Sequence, residues 1–394
     1  MFIRTNVRNY ADAYRVIQAM DLQAPLNTSE VREAARESLG KVLATRMEDY
    51  IDQYLDEARD QDLADRRNGY YGRHLLTELG DVFMAIPRTR LTSAARVLEH
   101  YGRRSPDVDR AILSCFVLGC STRKVANALA PMLDEHVSAM TVSRIAKTLD
   151  DAVAAFHKRP LTTRYRAVLF DGVVLSRKTG AGAVKRPVLT ALGVRPDGKK
   201  EVIDWRLCAS ESEAEWEAFM TDLYRRGLTE IQMEIIAVDG GKGALAALRT
   251  VYPGVPVQRC WAHKARNILD KFRVADQPVA KRDLRRIYQA KNLPTARKAA
   301  RRFADRWAAR YPAAVRCLQV DLDDLLTFFR FSDPTWRRAT RTTNAIERRF
   351  REVRRRTRPM GVFSDKTSLD RILFAVFTYE NQNQGLPPIF LLTH

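Results

Sequence analysis

The chain has few cysteines, no long apolar run and no phosphate-binding loop, and each absence excludes a class of protein. Its 394 residues include five cysteines without a Cys-x2-Cys pair, which rules out a disulfide scaffold. The opening Met-Phe-Ile-Arg-Thr-Asn has no apolar signal core, and no apolar run approaches the about 18 residues of a membrane span. Gly240-Gly241-Lys242-Gly243 lacks the spacing and the hydroxyl of a P-loop. We therefore expect a soluble protein in a reducing, cytoplasmic compartment, with no membrane and no ATP as partner.

Positive charge, in contrast, is in large excess. The chain has 67 Lys and Arg residues against 47 Asp and Glu, a formal net charge of +20. Such an excess favours a polyanionic partner such as nucleic acid, although ribosomal and membrane-surface proteins share it. A hydrophobic content of 45% can bury large cores. The length indicates roughly two to four domains, which favours an enzyme acting on nucleic acid.

Two short apolar runs each end in Asp-Gly, and a glutamate follows much later in an arginine-rich segment. The runs are Ala-Val-Leu-Phe-Asp171-Gly172 and Ile-Ile-Ala-Val-Asp239-Gly240, and the later acid is Glu347. A carboxylate at the end of a buried strand is costly unless a metal or hydrogen bonds compensate it. Three such acids suit two Mg²⁺ (or Mn²⁺) ions that activate a phosphodiester. We predict that these three residues are catalytic and bind metal; the alternative is that both Asp-Gly pairs only form turns.

Residues 164–272 show the clearest architecture. Strands are predicted at 165–175, 187–194, 201–207, 231–238 and 255–258, and the order is β-β-β-α-β-α-β-α. This order is that of an RNase H-like core, an α/β fold with a mixed five-stranded sheet and flanking helices. The first strand of such a core is central and the fourth lies beside it, so Asp171 and Asp239 should be neighbours.

The remaining segments are predicted to be mostly helical. An Arg-, Lys- and Ala-rich helical stretch interrupts the core before Glu347. We predict six regions: an N-terminal helical region at 1–65, a basic linker with a short strand at 66–104, a helix-turn-helix-like DNA-binding domain at 105–160, the first part of the core at 161–272, an all-α insertion domain at 273–340, and C-terminal core helices carrying Glu347 at 341–394.

Two segments of the N-terminal half have the composition of DNA-contacting surfaces. In 66–90, arginines alternate with tyrosines, which suits phosphate contact by Arg66, Arg67 and Arg73 together with base stacking. A recognition helix is predicted at 141–149, with Arg144 and Lys147 on its exposed side. The alternatives are a solvated polar loop for the first segment and a plain helical bundle for the second.

The predicted helix 342–356 surrounds Glu347 with arginines. Asn344 and Glu347 share one face of it by i+3 spacing, and we assign Asn344 to orienting a metal ligand or a bound water. Arginines beside a catalytic carboxylate can hold scissile phosphates. The arginines assigned to DNA contact here are Arg348, Arg351, Arg354 and Arg355.

Cys260 and His263 form the only Cys-x2-His pair of the sequence. No second pair of Cys or His residues stands at zinc-finger spacing from them. We therefore interpret the pair as a structural motif that packs the helix after the fifth strand, with zinc binding as the alternative.

Three segments resemble the Mutator-type DDE transposases of bacterial insertion sequences. They are Gln-Arg-Cys260-Trp-Ala-His263-Lys-Ala-Arg-Asn, Thr-Thr-Asn344-Ala-Ile-Glu347-Arg and Arg-Arg-Thr357-Arg. The segments at 67–71 and 86–88 are also similar to this family, so that the resemblance covers roughly residues 60–380. The C-terminal tail departs from the family, with Phe374, Phe377 and Tyr379 where a tryptophan-bearing end is expected.

The resemblance implies a transposase of the bacterial cytosol with a DDE triad on Asp171, Asp239 and Glu347 and an all-helical insertion before the glutamate. It implies copy-out, paste-in movement through a circular intermediate, acting on double-stranded DNA at terminal inverted repeats and at a target. Because two element ends must be bridged, a homodimer or larger homo-oligomer is expected. The alternatives are an RNase H-fold nuclease and a domesticated DNA-binding regulator.

Overall fold

The computed structural model describes residues 28–98, 102–117, 120–133, 137–179, 182–357 and 366–386. These residues form two compact units. The first contains the described residues up to Cys115 together with 122–145. The second contains 116–121 and the described residues from Ala146 onward.

The first unit is built on one long helix and a β-hairpin. Its elements are α1 (Thr28–Asp60), β1 (Arg67–Thr77), β2 (Gly80–Thr89), a 3-10 turn (Ala94–Leu98), α2 (Pro106–Val117), α3 (Thr122–Leu133) and α4 (Ala139–Ala146). Met47, Ile51 and Leu55 recur every four residues and so lie on one face of α1. That face packs in one apolar core with alternate residues of β2, namely Val82, Met84 and Ile86.

The segment that begins the predicted basic linker at 66–104 is not a solvated polar loop, because residues 67–73 belong to a β-hairpin. These residues begin β1, which pairs antiparallel with β2 so that Tyr71 lies opposite Ile86. The short strand predicted within this region, at 81–88, is confirmed as part of β2, which extends one residue further at each end. Its polar residues and glycines made the segment resemble a loop. It nevertheless forms a strand, because β2 is held on α1 by its apolar side chains and its backbone is a hydrogen-bonding partner for β1.

The helices predicted between 105 and 157 are present, but the recognition helix is shorter than predicted. Helix α4 ends at Ala146, and Leu149 begins α5 (Leu149–Lys158). Val142 and Ile145 are buried and Arg144 is exposed, as predicted, whereas Lys147 is exposed in the turn that follows the helix. Within the predicted helix-turn-helix-like domain, residues 118–119 and 134–136 lie outside the described residues.

The second unit contains a five-stranded mixed sheet. Its strands are β3 (Ala167–Thr179), β4 (Gly182–Val194), β5 (Lys200–Leu207), β6 (Ile236–Val238) and β7 (Val257–Arg259). The order across the sheet is β5-β4-β3-β6-β7, with β3 central. The pairs β3–β4 and β4–β5 are antiparallel, and the pairs β3–β6 and β6–β7 are parallel. The five predicted strands are confirmed, although β6 is shorter than predicted because Glu230–Gln232 forms a 3-10 turn.

The register of the central strands decides where the acids lie. Phe170 of β3 pairs with Val238 of β6, so the next residues, Asp171 and Asp239, follow at the same level of neighbouring strands. The sequence predicted Asp171 at the end of a strand. In the structure it lies inside β3, which continues to Thr179. Asp239 directly follows the end of β6. The sheet itself therefore places the first two predicted acids side by side.

Helices α6 (Glu213–Arg225) and α7 (Lys242–Val251) share an apolar core with the sheet. Alternation along β3 places Phe170 in this core, where its ring lies 6.3 Å from that of Trp216. Helices α14 (Asn344–Thr357) and α15 (Lys366–Gln382) also pack on the sheet. The amide of Asn381 on α15 is fixed to β5, since it accepts the Val202 N–H at 2.8 Å and donates to the Val202 carbonyl at 3.2 Å.

The segment between the sheet and α14 is entirely helical in secondary structure, as predicted. It follows α8 (Trp261–Leu269) and comprises α9 (Gln277–Tyr288), α10 (Leu293–Trp307), α11 (Pro312–Val320), α12 (Leu322–Leu326), a 3-10 turn (Thr327–Arg330) and α13 (Pro334–Thr340). These helices bury their own aromatic core, with Phe272 packed on Phe303, Trp307 and Tyr311.

A buried charged cluster joins α5 to the sheet and to α15. The His157 Nδ1 lies 2.6 Å from Asp204 Oδ1, and its Nε2 lies 3.7 Å from Asp370 Oδ2. Arg226 donates to the other oxygen of Asp204 at 2.6 Å. Burial disfavours the charged imidazole, but Asp204 and Asp370 outweigh it and raise the pKa of His157 to about 9. The imidazolium therefore holds three elements of the second unit together.

We expect His157→Gln to destabilise the second unit by about 2 kcal/mol at pH 6 and by much less at pH 10. The folded pKa of about 9 lies above the unfolded value, so the stabilisation is complete below about pH 6.5 and is lost as the pH rises through 9. Urea unfolding followed by tryptophan fluorescence at both pH values measures this. His74→Gln, at a mostly exposed imidazole on β1, is the control; a pH-independent effect of His157→Gln would contradict the prediction.

Candidate active site

Asp171 is a buried carboxylate on the central strand. Its residue is 3% exposed, and its Oδ2 atom has no hydrogen-bond partner among the described residues. Burial, and then the charge of Asp239, raise the pKa of Asp171 to about 7. A buried carboxylate with an unsatisfied oxygen and an acidic neighbour is costly, and a bound cation is the usual compensation.

Asp239 lies in a turn that the surrounding residues shape. Its Oδ1 accepts the backbone N–H of Gly241 at 2.9 Å. Gly240 has a φ of 98°, and a Cβ there would collide with the guanidinium of Arg259, which donates to the Gly240 carbonyl at 3.3 Å. The turn interpretation is therefore correct for Asp239, and the same turn holds its carboxylate beside Asp171. It is wrong for Asp171, which stands inside a strand.

Glu347 reaches the same region from the first turn of α14. Its carboxylate Oε1 lies 3.8 Å from the Nε2 of His263, and its side chain is 46% exposed. Its charge contributes to the raised pKa of Asp171, after burial and the charge of Asp239. The structure thus brings all three predicted acids into one region. Asn344, predicted to assist them, is the first residue of α14.

Cys260 and His263 tie the segments of the second and third acids together. The Cys260 N–H donates to the carbonyl of Val238, the residue before Asp239, at 2.8 Å. The Cys260 thiol accepts the N–H of Thr343, directly before α14, at 3.3 Å. The pair therefore has the structural contacts that the sequence predicted. Its further contact, between His263 and Glu347, was not predicted, because a Cys-x2-His spacing indicates nothing about a residue 84 positions later.

Positive charge at His263 balances the acids. The Cys260 thiol, followed by the charges of Asp171 and Asp239, raises the pKa of His263 to about 9 against the opposing effect of burial. The imidazole is therefore protonated at neutral pH and attracts Glu347. Among the residues that the structure describes, no three His, Cys, Asp or Glu side chains stand close enough together to hold a metal ion. In this arrangement Glu347 faces His263 at salt-bridge distance.

The donor set nevertheless fits a hard divalent cation. Asp171 and Asp239 offer carboxylate oxygens, the ligands that Mg²⁺ and Mn²⁺ prefer, and the Asp171 Oδ2 atom is unsatisfied. Because the charge of Asp239 raises the pKa of Asp171, a cation between the two carboxylates would relieve this repulsion. We conclude that these residues could hold such an ion, with Glu347 within reach.

The predicted DNA-contact residues of the first unit differ in their surroundings. Arg66 is exposed. The Arg67 guanidinium, in contrast, is bound by Glu48 and Asp52 of α1, each at 2.5 Å, and Arg73 donates to the Gly102 carbonyl at 2.5 Å. Arg67 and Arg73 therefore have structural roles that the sequence did not indicate, which leaves Arg66 with a free approach to solvent.

The arginines of α14 divide between two faces. Those assigned to DNA contact are all exposed: Arg348, Arg351, Arg354 and Arg355. Arg355 also pairs with Glu352 at 3.0 Å. Arg349 and Arg356 instead face the protein, where Arg349 pairs with Glu380 and Arg356 lies 4.9 Å over the Tyr379 ring. The exposed face of α14 is thus a basic surface that begins beside Glu347.

None of the described helices combines the length and the apolar character that crossing a lipid bilayer requires.

The model of the family "Transposase, Mutator family" matches residues 11–384. The transposase for insertion sequence element IS905 of Lactococcus lactis is 31% identical over 320 residues, which are 81% of each chain. The transposase for insertion sequence element IS1201 of Lactobacillus helveticus is 30% identical over 358 residues, 89% of this chain and 95% of that one. The transposase for IS256 in transposon Tn4001 of Staphylococcus aureus is 26% identical over 366 residues, 91% and 93% of the two chains.

Proposed function

Because the chain belongs to the Mutator family of transposases, we propose that it is a DDE enzyme which cleaves DNA strands at the ends of an insertion sequence and joins them to a target. The observation that carries this proposal is the meeting of Asp171 and Asp239 on neighbouring strands, with one buried carboxylate oxygen left unsatisfied. Glu347 completes the triad from α14.

The strand order supports an RNase H-like assignment of the catalytic core. With β3 counted as the first strand, the order is 3-2-1-4-5, and the second strand runs antiparallel to its neighbours. In this proposal the helices between residues 277 and 340 are an insertion between the sheet and the helix that carries the third acid. The insertion would extend the surface that surrounds the acids.

Asp171, Asp239 and Glu347 would hold Mg²⁺ or Mn²⁺. When bound, such ions activate the attacking oxygen and stabilise the leaving oxygen of a phosphodiester. To bind the ion, Asp171 must be ionised. Before the ion binds, His263 holds the Glu347 carboxylate near the two aspartates. Glu347 must turn from His263 toward Asp171 to complete the ligand set. Thr343 and Cys260 fix the start of α14 and so limit this movement to the side chain.

The basic face of α14 would position the DNA. Arg348, Arg351 and Arg354 are exposed beyond Glu347, and guanidinium groups bind phosphate oxygens in bidentate geometry. Arg66 and Arg144 of the first unit and Lys147 of the second are further exposed basic residues that we assign to DNA contact. The partners we propose are terminal inverted repeats and target DNA, bound by a homodimer or larger homo-oligomer in the cytoplasm without ATP. Movement would be copy-out and paste-in through a circular intermediate.

We expect the purified chain to produce two products from a duplex in which the inverted repeat that flanks its own coding sequence is followed by donor DNA. With Mg²⁺ it should release a 3′-hydroxyl at the element end and then join that end to a second DNA, whereas with EDTA it should do neither. Gel analysis of end-labelled duplexes measures both steps. A scrambled repeat is the control. Cleavage without joining would favour an RNase H-fold nuclease, and binding without either step would favour a regulator; each result contradicts the proposal.

A further inference from the structure

Glu211 is an acid near the site that the sequence pattern did not single out. It lies between β5 and α6, one residue before Ser212, whose side chain accepts the Glu215 N–H at 3.3 Å and caps the helix. The helix cap fixes the backbone at this point. No ion pair or hydrogen bond engages the Glu211 carboxylate within the described part of the chain. The residue as a whole is exposed, but its carboxyl end lies against Gly172, where it is partly desolvated.

Gly172, the neighbour of Asp171, makes room for that carboxylate. A Cβ at Gly172 would lie 2.7 to 3.0 Å from the carboxyl atoms of Glu211. Gly172 has no positive φ, so its backbone is open to any residue. A side chain at position 172 would therefore have to displace the flexible end of Glu211, which occupies this space.

Glu211 also interacts electrostatically with the second acid of the triad. Burial, and then the charge of Asp239, raise the pKa of Glu211. The charge of Asp239 also raises the pKa of Asp171, so the charge of Asp239 acts on both of the other carboxylates. An unpaired acid held against another acid is unfavourable unless a cation is present.

We propose that Glu211 is a fourth carboxylate of the metal site, a positioning residue that acts beside Asp239 and increases the affinity for the divalent cation. The inference rests on the proposed metal-dependent function. It extends the triad, because it assigns a role to a residue before α6 and explains why a glycine follows Asp171. The carboxylate adds negative charge beside Gly172, next to Asp171 in the central strand.

Three variants of the full-length chain test this inference. Glu211→Gln removes the charge, Gly172→Ala displaces the carboxylate with a single methyl group, and Glu213→Gln removes an exposed charge two residues away. Titration with Mn²⁺ in the absence of DNA, followed by the electron paramagnetic resonance signal of the free ion, gives the affinity. The Mg²⁺ concentration at half-maximal cleavage is the second readout. Unfolding by tryptophan fluorescence establishes that each variant is folded.

Both Glu211→Gln and Gly172→Ala should weaken Mn²⁺ binding about 10- to 100-fold, as is usual for groups around metal ligands. The half-maximal Mg²⁺ concentration should rise in parallel, and Glu213→Gln should match the parent. The double variant with Glu211→Gln and Gly172→Ala should bind Mn²⁺ no more weakly than Glu211→Gln alone. Parent-like Mn²⁺ affinity of Glu211→Gln would overturn the inference while leaving the triad intact. If neither the parent nor its cleavage responds to a divalent ion, the proposed function fails, and this inference with it.

Discussion

The Asp171→Asn protein should bind an element-end duplex as tightly as the parent and cleave it at least about 100-fold more slowly, since loss of a metal ligand should cost no less than loss of a group around one. Asparagine keeps the shape of the side chain but removes the charge that a cation requires. Asp171 is buried in the central strand, so the change leaves the basic DNA-facing surfaces untouched. Asp239→Asn should behave in the same way.

Although Asp171→Asn should reduce cleavage, it should increase the stability of the fold. Burial and Asp239 raise the pKa of Asp171 to about 7, above its ordinary value of 3.8, so the ionised form costs folding free energy. Its destabilising effect grows as the pH rises from about 4 through 7. Without metal at pH 8, Asp171→Asn should therefore be about 2–4 kcal/mol more stable than the parent. Added Mg²⁺ should stabilise the parent and narrow the difference.

Two measurements decide this prediction, with Asp197→Asn in the β4–β5 turn as the control for both. Band-shift titration and cleavage kinetics give the first effect, and urea unfolding with and without Mg²⁺ gives the second. Residual cleavage within a few-fold of the parent would place the metal site elsewhere. If Asp171→Asn were less stable than the parent at pH 8, the negative charge of Asp171 would be stabilised by protein groups and would need no cation.

The five strands could be predicted from the sequence because their apolar runs are separated by strong turn signals. The pairing of Phe170 with Val238 follows from the strand order, and it places Asp171 beside Asp239. The position of Asp171 within its strand could not be predicted, because the continuation of β3 to Thr179 depends on its pairing with β4, in which Thr179 lies opposite Gly182. Strand length was set by the partner strand.

The hairpin at 67–89 shows the same limit for polar segments. Arg67, Asn68 and Gly69 show no alternation of apolar residues. They belong to a strand because β2 packs on α1 and its backbone hydrogen-bonds to β1. Arg67 joins this arrangement through Glu48 and Asp52, acids that lie 19 and 15 residues earlier. An arginine with this surrounding cannot be distinguished in the sequence from one that is free to bind phosphate.

At the candidate site, the sequence singled out three acids, but it did not predict the contacts that the structure gives them. Residue type and position after apolar runs identify Asp171 and Asp239, and the arginine-rich helix identifies Glu347. The contact of His263 with Glu347 and the approach of Glu211 to Gly172 depend on how α8, α6 and α14 pack around the sheet. Tertiary packing of this kind leaves no periodic signal in the chain.

Glu347 and Glu352 stand on the same helix, and the structure separates their roles. Five residues of α-helix correspond to about 500° of rotation, a net difference of roughly 140°, so the two side chains point in different directions. Glu347 lies 3.8 Å from His263 and contributes to the raised pKa of Asp171. Glu352 pairs with Arg355 at 3.0 Å. Only Glu347 can join the two aspartates.

We expect Glu347→Gln to reduce strand cleavage and joining at least about 100-fold, as for the aspartates, and Glu352→Gln to stay within a few-fold of the parent. An ion pair between partly exposed side chains such as Glu352 and Arg355 contributes little, typically below about 1 kcal/mol, so its loss should leave the fold and α14 intact. Both variants should retain DNA binding, because the exposed arginines of the helix remain. Joining assays with matched protein concentrations compare them directly. An inactive Glu352→Gln beside an active Glu347→Gln would show that α14 presents its other face to the aspartates, and the third member of the triad would then be Glu352.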